Sequence, residues 1–179
     1  MVTSSNTGGE GKYTALLVKT PYPPIKVEKS NLKYAQLLNI SLAAASSELT
    51  SVTQYLYQKW IFKADYHETA KIIGKIAEME MRHMQILGEL IVLLGGNPMY
   101  CAVKNRKLSV WNGNMVCYAT DPRQAMLENI VLEQAAINTY NEQIALIEDD
   151  CIKAVLERII LDEESHSQIF NQILCELNT

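Results

Sequence analysis

Twice in this chain a glutamate precedes a histidine by three residues inside an otherwise apolar helical stripe: Glu80 and His83 in "EMRH", and Glu163 and His166 in "EESH". Around the first pair, Ile73, Ile76, Leu87, Ile91 and Leu94 recur at helical spacing. Around the second, Ile152, Ile159, Phe170, Ile173 and Leu177 do the same. Such a stripe is the face that a helix buries. A buried carboxylate is costly and persists only if it is protonated, paired or bound to a cation. These two tetrapeptides therefore constrain the fold and the chemistry together.

Periodicity predicts four long helices, at about 31–62, 66–94, 122–148 and 150–177. The first carries Leu38, Ser41, Ala45, Glu48, Val52 and Tyr55 on one stripe, and the third carries Asn129, Glu133, Ala136, Tyr140, Ile144 and Ile147. Gly95-Gly96-Asn97-Pro98 stops the second helix. Asp121-Pro122 starts the third, as an N-cap followed by proline at the first helical position. Each segment spans about 40 Å at about 1.5 Å per residue. Short joints near 63–65 and 149–150 make the first and second helices antiparallel, and likewise the third and fourth. Residues 95–121 are long enough to cross the whole assembly. The expected architecture is all-α: an antiparallel four-helix bundle over 31–179 with a long crossover between helices two and three. Residues 1–30 read as an N-terminal arm. Its first eleven residues are small, polar and expected to be disordered. Pro21, Pro23 and Pro24 then forbid a helix, so this part reads as an extended segment lying on something else.

In an antiparallel hairpin, residues equidistant from the turn share a height. Glu48 and Glu80 are equidistant from residue 64, and Glu133 and Glu163 from residue 148, which are the two turns. Each histidine sits one turn from its glutamate on the same face. The halves echo one another, since Tyr55 follows Glu48 by seven residues and Tyr140 follows Glu133 by seven. This pattern predicts an internally duplicated helical pair about a pseudo-twofold axis. One Glu-x-x-His is common on solvated helix faces. Two of them, each partnered by a glutamate at mirrored distance from a turn, point to a shared site. Four carboxylates and two imidazoles would balance two divalent ions, and such donors suit iron or manganese. Open coordination positions would admit O2 or H2O2.

Composition narrows the function classes. The 179 residues carry a net charge of −4, which argues against a nucleic-acid partner. The longest apolar run, "ILGELIVLLGG", is too short to span a membrane and carries Glu89. The N-terminus has no basic stretch followed by an apolar core, so it does not read as a signal peptide. Cys101, Cys117, Cys151 and Cys175 are scattered without a CxxC pair, which fits reduced thiols in a cytoplasm. Cys101 and Cys117 share one loop, so a disulfide between them is the alternative.

From residue 22 onward the sequence resembles the ferritin-like dinuclear-metal superfamily, which draws a Glu from each of two helices and a Glu-x-x-His from each of the other two. "ELTSVTQYLYQKW" looks like the first ligand helix of rubrerythrins, bacterioferritins and manganese catalases. "YPPIKVEKSNLKYAQLL", "VWNGNMVCY", "LENIVLEQAAINTY" and "HSQIF" are similar to manganese catalases and their spore-coat relatives. By this resemblance Glu48 and His83 serve one metal and Glu133 and His166 the other, with Glu80 and Glu163 bridging or nearby and central to catalysis. "EMRH" resembles bacterioferritin, which implies Met81 as a haem ligand at a dimer interface; the ordinary alternative is a methionine filling a packing gap. Two features depart from the relatives. Ala136 stands where rubrerythrins carry a further Glu, and Leu132 where manganese catalases tend to place an Arg. The resemblance implies a homo-oligomeric oxidoreductase that acts on H2O2 or O2, in peroxide detoxification. Its alternatives are an iron-handling ferroxidase and a non-enzymatic coat protein stabilised by metal. His67 reads as a surface residue. Tyr55 and Tyr140 either bond the carboxylates or fill the core, and Trp111 either covers the site or anchors its loop.

Overall fold

The computed structural model describes residues 13, 15–104 and 107–178. The expectation of disorder over residues 1–11 lies outside the described residues. Among the described residues five α-helices form the body: α1 (Leu32–Ala43), α2 (Glu48–Phe62), α3 (His67–Leu93), α4 (Pro122–Leu146) and α5 (Asp150–Glu176). Together α1 and α2 make the first arm of an antiparallel four-helix bundle. α2 packs along α3 and α4 along α5, so the two expected hairpins face each other. The crossover between α3 and α4 carries a two-stranded antiparallel ribbon, β1 (Cys101–Lys104) and β2 (Lys107–Val110), in which Cys101 pairs with Val110 and Ala102 with Ser109. The sequence reading did not anticipate this ribbon, because its four-residue strands are exposed along β2 and carry no alternating pattern. No described helix is long and apolar enough to cross a membrane.

One expectation fails at the first helix, which does not run unbroken over 31–62. It stops at Ala43 and resumes at Glu48. The cause is local. Ser47 caps the second piece, its hydroxyl accepting from Thr50 N–H, while the Thr50 hydroxyl donates back to the Ala44 carbonyl at 3.3 Å. Serine and threonine side chains here take over backbone partners that a continuous helix would have used. As a result Ala45 is exposed rather than on the buried stripe. Glu48 becomes the first residue of α2, where the helix N-terminus favours an acid.

At the far end of α3 the chain turns tightly. Gly95 has φ +85°, and Gly96 N–H bonds the Ile91 carbonyl at 2.8 Å. Asn31 N–H and the Ser30 hydroxyl bond the Leu94 carbonyl, which ties the start of α1 to this turn. A Cβ on Gly96 would lie 2.6 Å from Ala35 Cβ and 3.0 Å from the Ile91 side chain. Gly96→Ala is expected to cost about 1–3 kcal/mol by forcing the two elements apart. A calorimetric melting temperature equal to that of the wild type would show that no such close approach exists.

The core is divided in two. One cluster includes Leu38, Leu42, Leu87, Leu90, Ile91, Leu156 and Ile159. The other includes Tyr55, Phe62, Ile73, Ile76, Met126, Phe170 and Ile173. Between them lies a polar layer. The arm also contributes to packing. Tyr22, Ile25 and Val27 lie against the first cluster and Leu16 and Leu17 against the second, so the extended segment runs antiparallel to α5.

Candidate metal centre

The polar layer consists of the six residues singled out in the sequence. Glu48, Glu80, His83, Glu133, Glu163 and His166 are all buried, none more than 3% exposed. α3 places Glu80 and His83 one turn apart, α5 does the same with Glu163 and His166, and α2 and α4 supply Glu48 and Glu133.

Each imidazole Nδ1 faces three carboxylates. His83 Nδ1 lies 2.9 Å from Glu80 Oε2, 3.2 Å from Glu163 Oε1 and 3.5 Å from Glu48 Oε2. His166 Nδ1 lies 3.0 Å from Glu163 Oε2, 3.1 Å from Glu80 Oε1 and 3.8 Å from Glu133 Oε1. Two foci result, one of Glu48, Glu80, His83 and Glu163, the other of Glu80, Glu133, Glu163 and His166. Within each, the ligand-capable atoms lie within 4.8 Å of one another. Glu80 and Glu163 belong to both.

Of the two readings left open for Tyr55 and Tyr140, the hydroxyl contacts are present, and they cross between halves. Tyr55 donates to Glu133 Oε1 at 2.5 Å, and Tyr140 donates to Glu48 Oε1. Each terminal glutamate thus has one oxygen engaged by a tyrosine of the opposite hairpin. Above this layer the amides of Gln54, Gln58 and Asn129 bond one another across α2 and α4, and Gln54 Oε1 accepts from Cys117 N–H. Trp111 donates to Thr50 Oγ1 at 2.9 Å and packs on the first core cluster, which anchors the crossover beside α2.

Burial and crowding shift these groups. Burial, then the charges of Glu163 and Glu80, pushes Glu48 well above the carboxylate range. Burial, then Glu80 and Glu163, does the same to Glu133. Burial also acts on Glu80, but the imidazoles of His166 and His83 outweigh it and hold that carboxyl low. Burial lowers both imidazoles, yet Glu163 and Glu48 raise His83 well above its usual value. Glu80 and Glu163 raise His166 to about 9. The surrounding carboxylates thus hold the imidazole protons to higher pH than usual.

A buried layer of this kind fits cations better than protons. An imidazole Nδ1 holds at most one hydrogen, which cannot serve three carboxylates. Glu80 Oε1 and Glu163 Oε1 are buried and accept no hydrogen bond among the described residues. Oxygen donors with one imidazole per focus match iron or manganese, and the four carboxylates offset two dications.

Sequence reasoning missed the groups behind His83. Asp162, Arg158 and Tyr22 are all buried or half-buried against it. Asp162 directly precedes Glu163, and Arg158 lies one turn earlier on the same buried face, so the spacing of four was the signal. Tyr22 opens the segment "YPPIKVEKSNLKYAQLL" noted for its resemblance, but nothing in its pattern pointed to His83. Met81 is outside the layer: it is exposed, beside a surface hollow of about 360 Å³ with Leu42, Met84, Gly88, Pro98 and Tyr100. His67 is exposed at the start of α3, and all four cysteines are free, which overturns the Cys101–Cys117 alternative.

Bundle, crossover and paired foci define a class, and a family description confirms it. The chain belongs to the ferritin-like family, whose ferritin-like domain matches residues 36–179. Among curated proteins it is 27% identical over 168 residues to a probable manganese catalase of Clostridium acetobutylicum, covering 84% of this chain and 74% of that one. It is 30% identical over 143 residues to a bacterioferritin of Desulfovibrio desulfuricans, covering 78% and 74%. Among solved structures it superimposes on a manganese catalase from Anabaena with a TM-score of 0.80 at 24% identity, covering 90% of this chain and 80% of that one. The Desulfovibrio desulfuricans bacterioferritin, solved with its diiron site in different catalytic states, gives a TM-score of 0.69 at 25% identity, covering 82% and 80%.

Proposed function

We propose that this protein is a dinuclear manganese or iron oxidoreductase that acts on H2O2, disproportionating it to water and O2. The observation that carries this reading is the pair of foci sharing Glu80 and Glu163 in a buried layer. Glu48 and His83 would hold one ion and Glu133 and His166 the other, with Glu80 and Glu163 spanning both. Bound there, such a pair supplies reversible two-electron chemistry that needs no external donor. The side chains do the rest. The Tyr140 and Tyr55 hydroxyls fix the outer oxygens of Glu48 and Glu133, so each glutamate presents its other oxygen inward. The two apolar clusters exclude water on either side of the layer. The similarity to the probable manganese catalase of Clostridium acetobutylicum supports the peroxide substrate.

Oxygen evolution from H2O2 by metal-reconstituted protein is expected with manganese or iron and is expected to vanish in Glu80→Ala. No evolution with either metal rejects the reading.

The bacterioferritin relative supports a second reading, oxidation of Fe2+ by O2. Mineral storage would require a hollow shell, so a dimer or hexamer by size exclusion speaks against it. In that reading Met81, exposed at its hollow, would meet a haem shared with a second copy. A Soret band in haemin-treated protein, lost in Met81→Leu, tests this. A purely structural role would be favoured if chelation lowered thermal stability and no turnover were found.

A further inference from the structure

The two halves of the layer match in their carboxylates but differ behind their imidazoles. His83 Nε2, facing away from the glutamates, lies 3.0 Å from the Tyr22 hydroxyl and 3.2 Å from Asp162 Oδ2. Those partners are themselves held. Tyr22 donates to Asp162, and Arg158 Nη1 reaches Asp162 at 2.7 Å. Arg158 Nε in turn donates to the Thr20 carbonyl at 2.7 Å. Two guanidiniums lie over the Tyr22 ring, that of Arg82 at 4.7 Å and that of Arg158 at 4.4 Å from its centroid. The arm, α3 and α5 thus converge on one imidazole nitrogen.

Among the described residues nothing equivalent stands behind the other. His166 Nε2 is buried without a hydrogen-bond partner among the described residues. The pseudo-symmetry of the chain locates the difference. Asp162 directly precedes Glu163 on α5; the corresponding position, directly before Glu80 on α3, is Met79. A thioether is a weak acceptor and carries no charge.

The difference matters to a cation. An imidazole that binds through Nδ1 carries its proton on Nε2, and that buried N–H needs an acceptor. A carboxylate there fixes the tautomer, orients the ring and strengthens its donor nitrogen. His83 has this support from Asp162 and Tyr22; His166 does not.

We infer that the two ion positions are unequal: the position at Glu48 and His83 fills first and holds its ion more tightly, because Asp162 and the arm's Tyr22 position its histidine. The other position, at Glu133 and His166, is the exchangeable one. This rests on the dinuclear reading above. Tyr22 and Asp162 are positioning residues, acting through His83. The expected gap is about ten- to hundredfold in affinity, the usual effect of such outer partners on a metal-bound histidine.

Calorimetric titration of the metal-free full chain with Mn2+ tests it, needing no turnover. Wild type should bind in two resolved steps. Asp162→Ala should weaken the tighter step by about ten- to hundredfold and the looser one by less than about threefold. Met79→Asp should tighten the looser step. Tyr22→Phe, which keeps the ring against Arg82 and Arg158 and removes only the hydroxyl, should weaken the tighter step alone. It decides the matter if Asp162→Ala does not fold. Two ions bound with equal affinity overturn the inequality, and a Tyr22→Phe protein with both steps unchanged overturns its assignment to the arm; either result leaves the dinuclear reading standing. A chain that binds one ion or none overturns both.

Discussion

Glu80→Ala is expected to reduce the metal content of the purified protein from two ions per chain to one or none. Affinity should fall by at least about 10³-fold, beyond the 10- to 100-fold typical of outer partners. Glu80 is the reason that the foci are coupled. Its Oε2 lies 2.9 Å from His83 Nδ1 and its Oε1 3.1 Å from His166 Nδ1. Removing it takes a donor from both groups and leaves three carboxylates against two dications in a core that cannot solvate the excess charge. Glu48→Ala, in contrast, takes a donor from one focus only, so about one ion per chain should remain. Elemental analysis of both variants gives the answer. An alanine at position 80 that retains two ions would show that the shared carboxylate is not a bridge.

Loading both positions is expected to raise the melting temperature by about 10–20 °C. An ion present at about 100 times its dissociation constant contributes about 2.7 kcal/mol, so two contribute about 5.4 kcal/mol. For a chain of this size each kcal/mol shifts melting by about 2–4 °C. The shift should also grow with pH. His166 is raised from 6.5 to about 9 in the folded, metal-free protein, and His83 is raised as well. A group whose pKa is raised by folding stabilises fully below its unfolded value and loses that contribution as pH climbs through the folded one. The metal-free protein therefore weakens between about pH 6.5 and 9. Glu48 and Glu133, also raised, act in the same direction, and Glu80, held low, loses its contribution only in acid. Metal displaces these protons, so the loaded protein escapes the alkaline loss. Differential scanning calorimetry from pH 6.5 to 9 should show the gap widening. A gap that narrows would contradict the proton-loaded layer.

The bundle was legible because burial has a period. Ile73, Ile76, Glu80, His83, Leu87, Ile91 and Leu94 were read as one stripe, and each is buried. The candidate site was legible for a related reason: carboxylates on such a stripe need partners, and mirrored distances from two turns said where those partners were. What escaped the reading depends on short-range competition or on contacts between distant segments. The break before Glu48 turns on Ser47 and Thr50 capturing backbone groups, in a stretch whose alanines favour helix. Tyr22 reaches His83 from 61 residues away along an arm without periodicity. Asp162 was visible as a third acid beside Glu163 and Glu164, but the stripe reading took one acid per turn. The ribbon leaves β2 exposed and buries Ala102 of β1, too little to leave a pattern.

Anomalous diffraction from crystals loaded with manganese, recorded on both sides of its absorption edge, reads the layer directly. Two peaks should appear inside the bundle, one between Glu48 and His83, the other between Glu133 and His166, with Glu80 and Glu163 touching both. A single peak, or density only at surface acids, would mean that these six side chains hold no pair of cations.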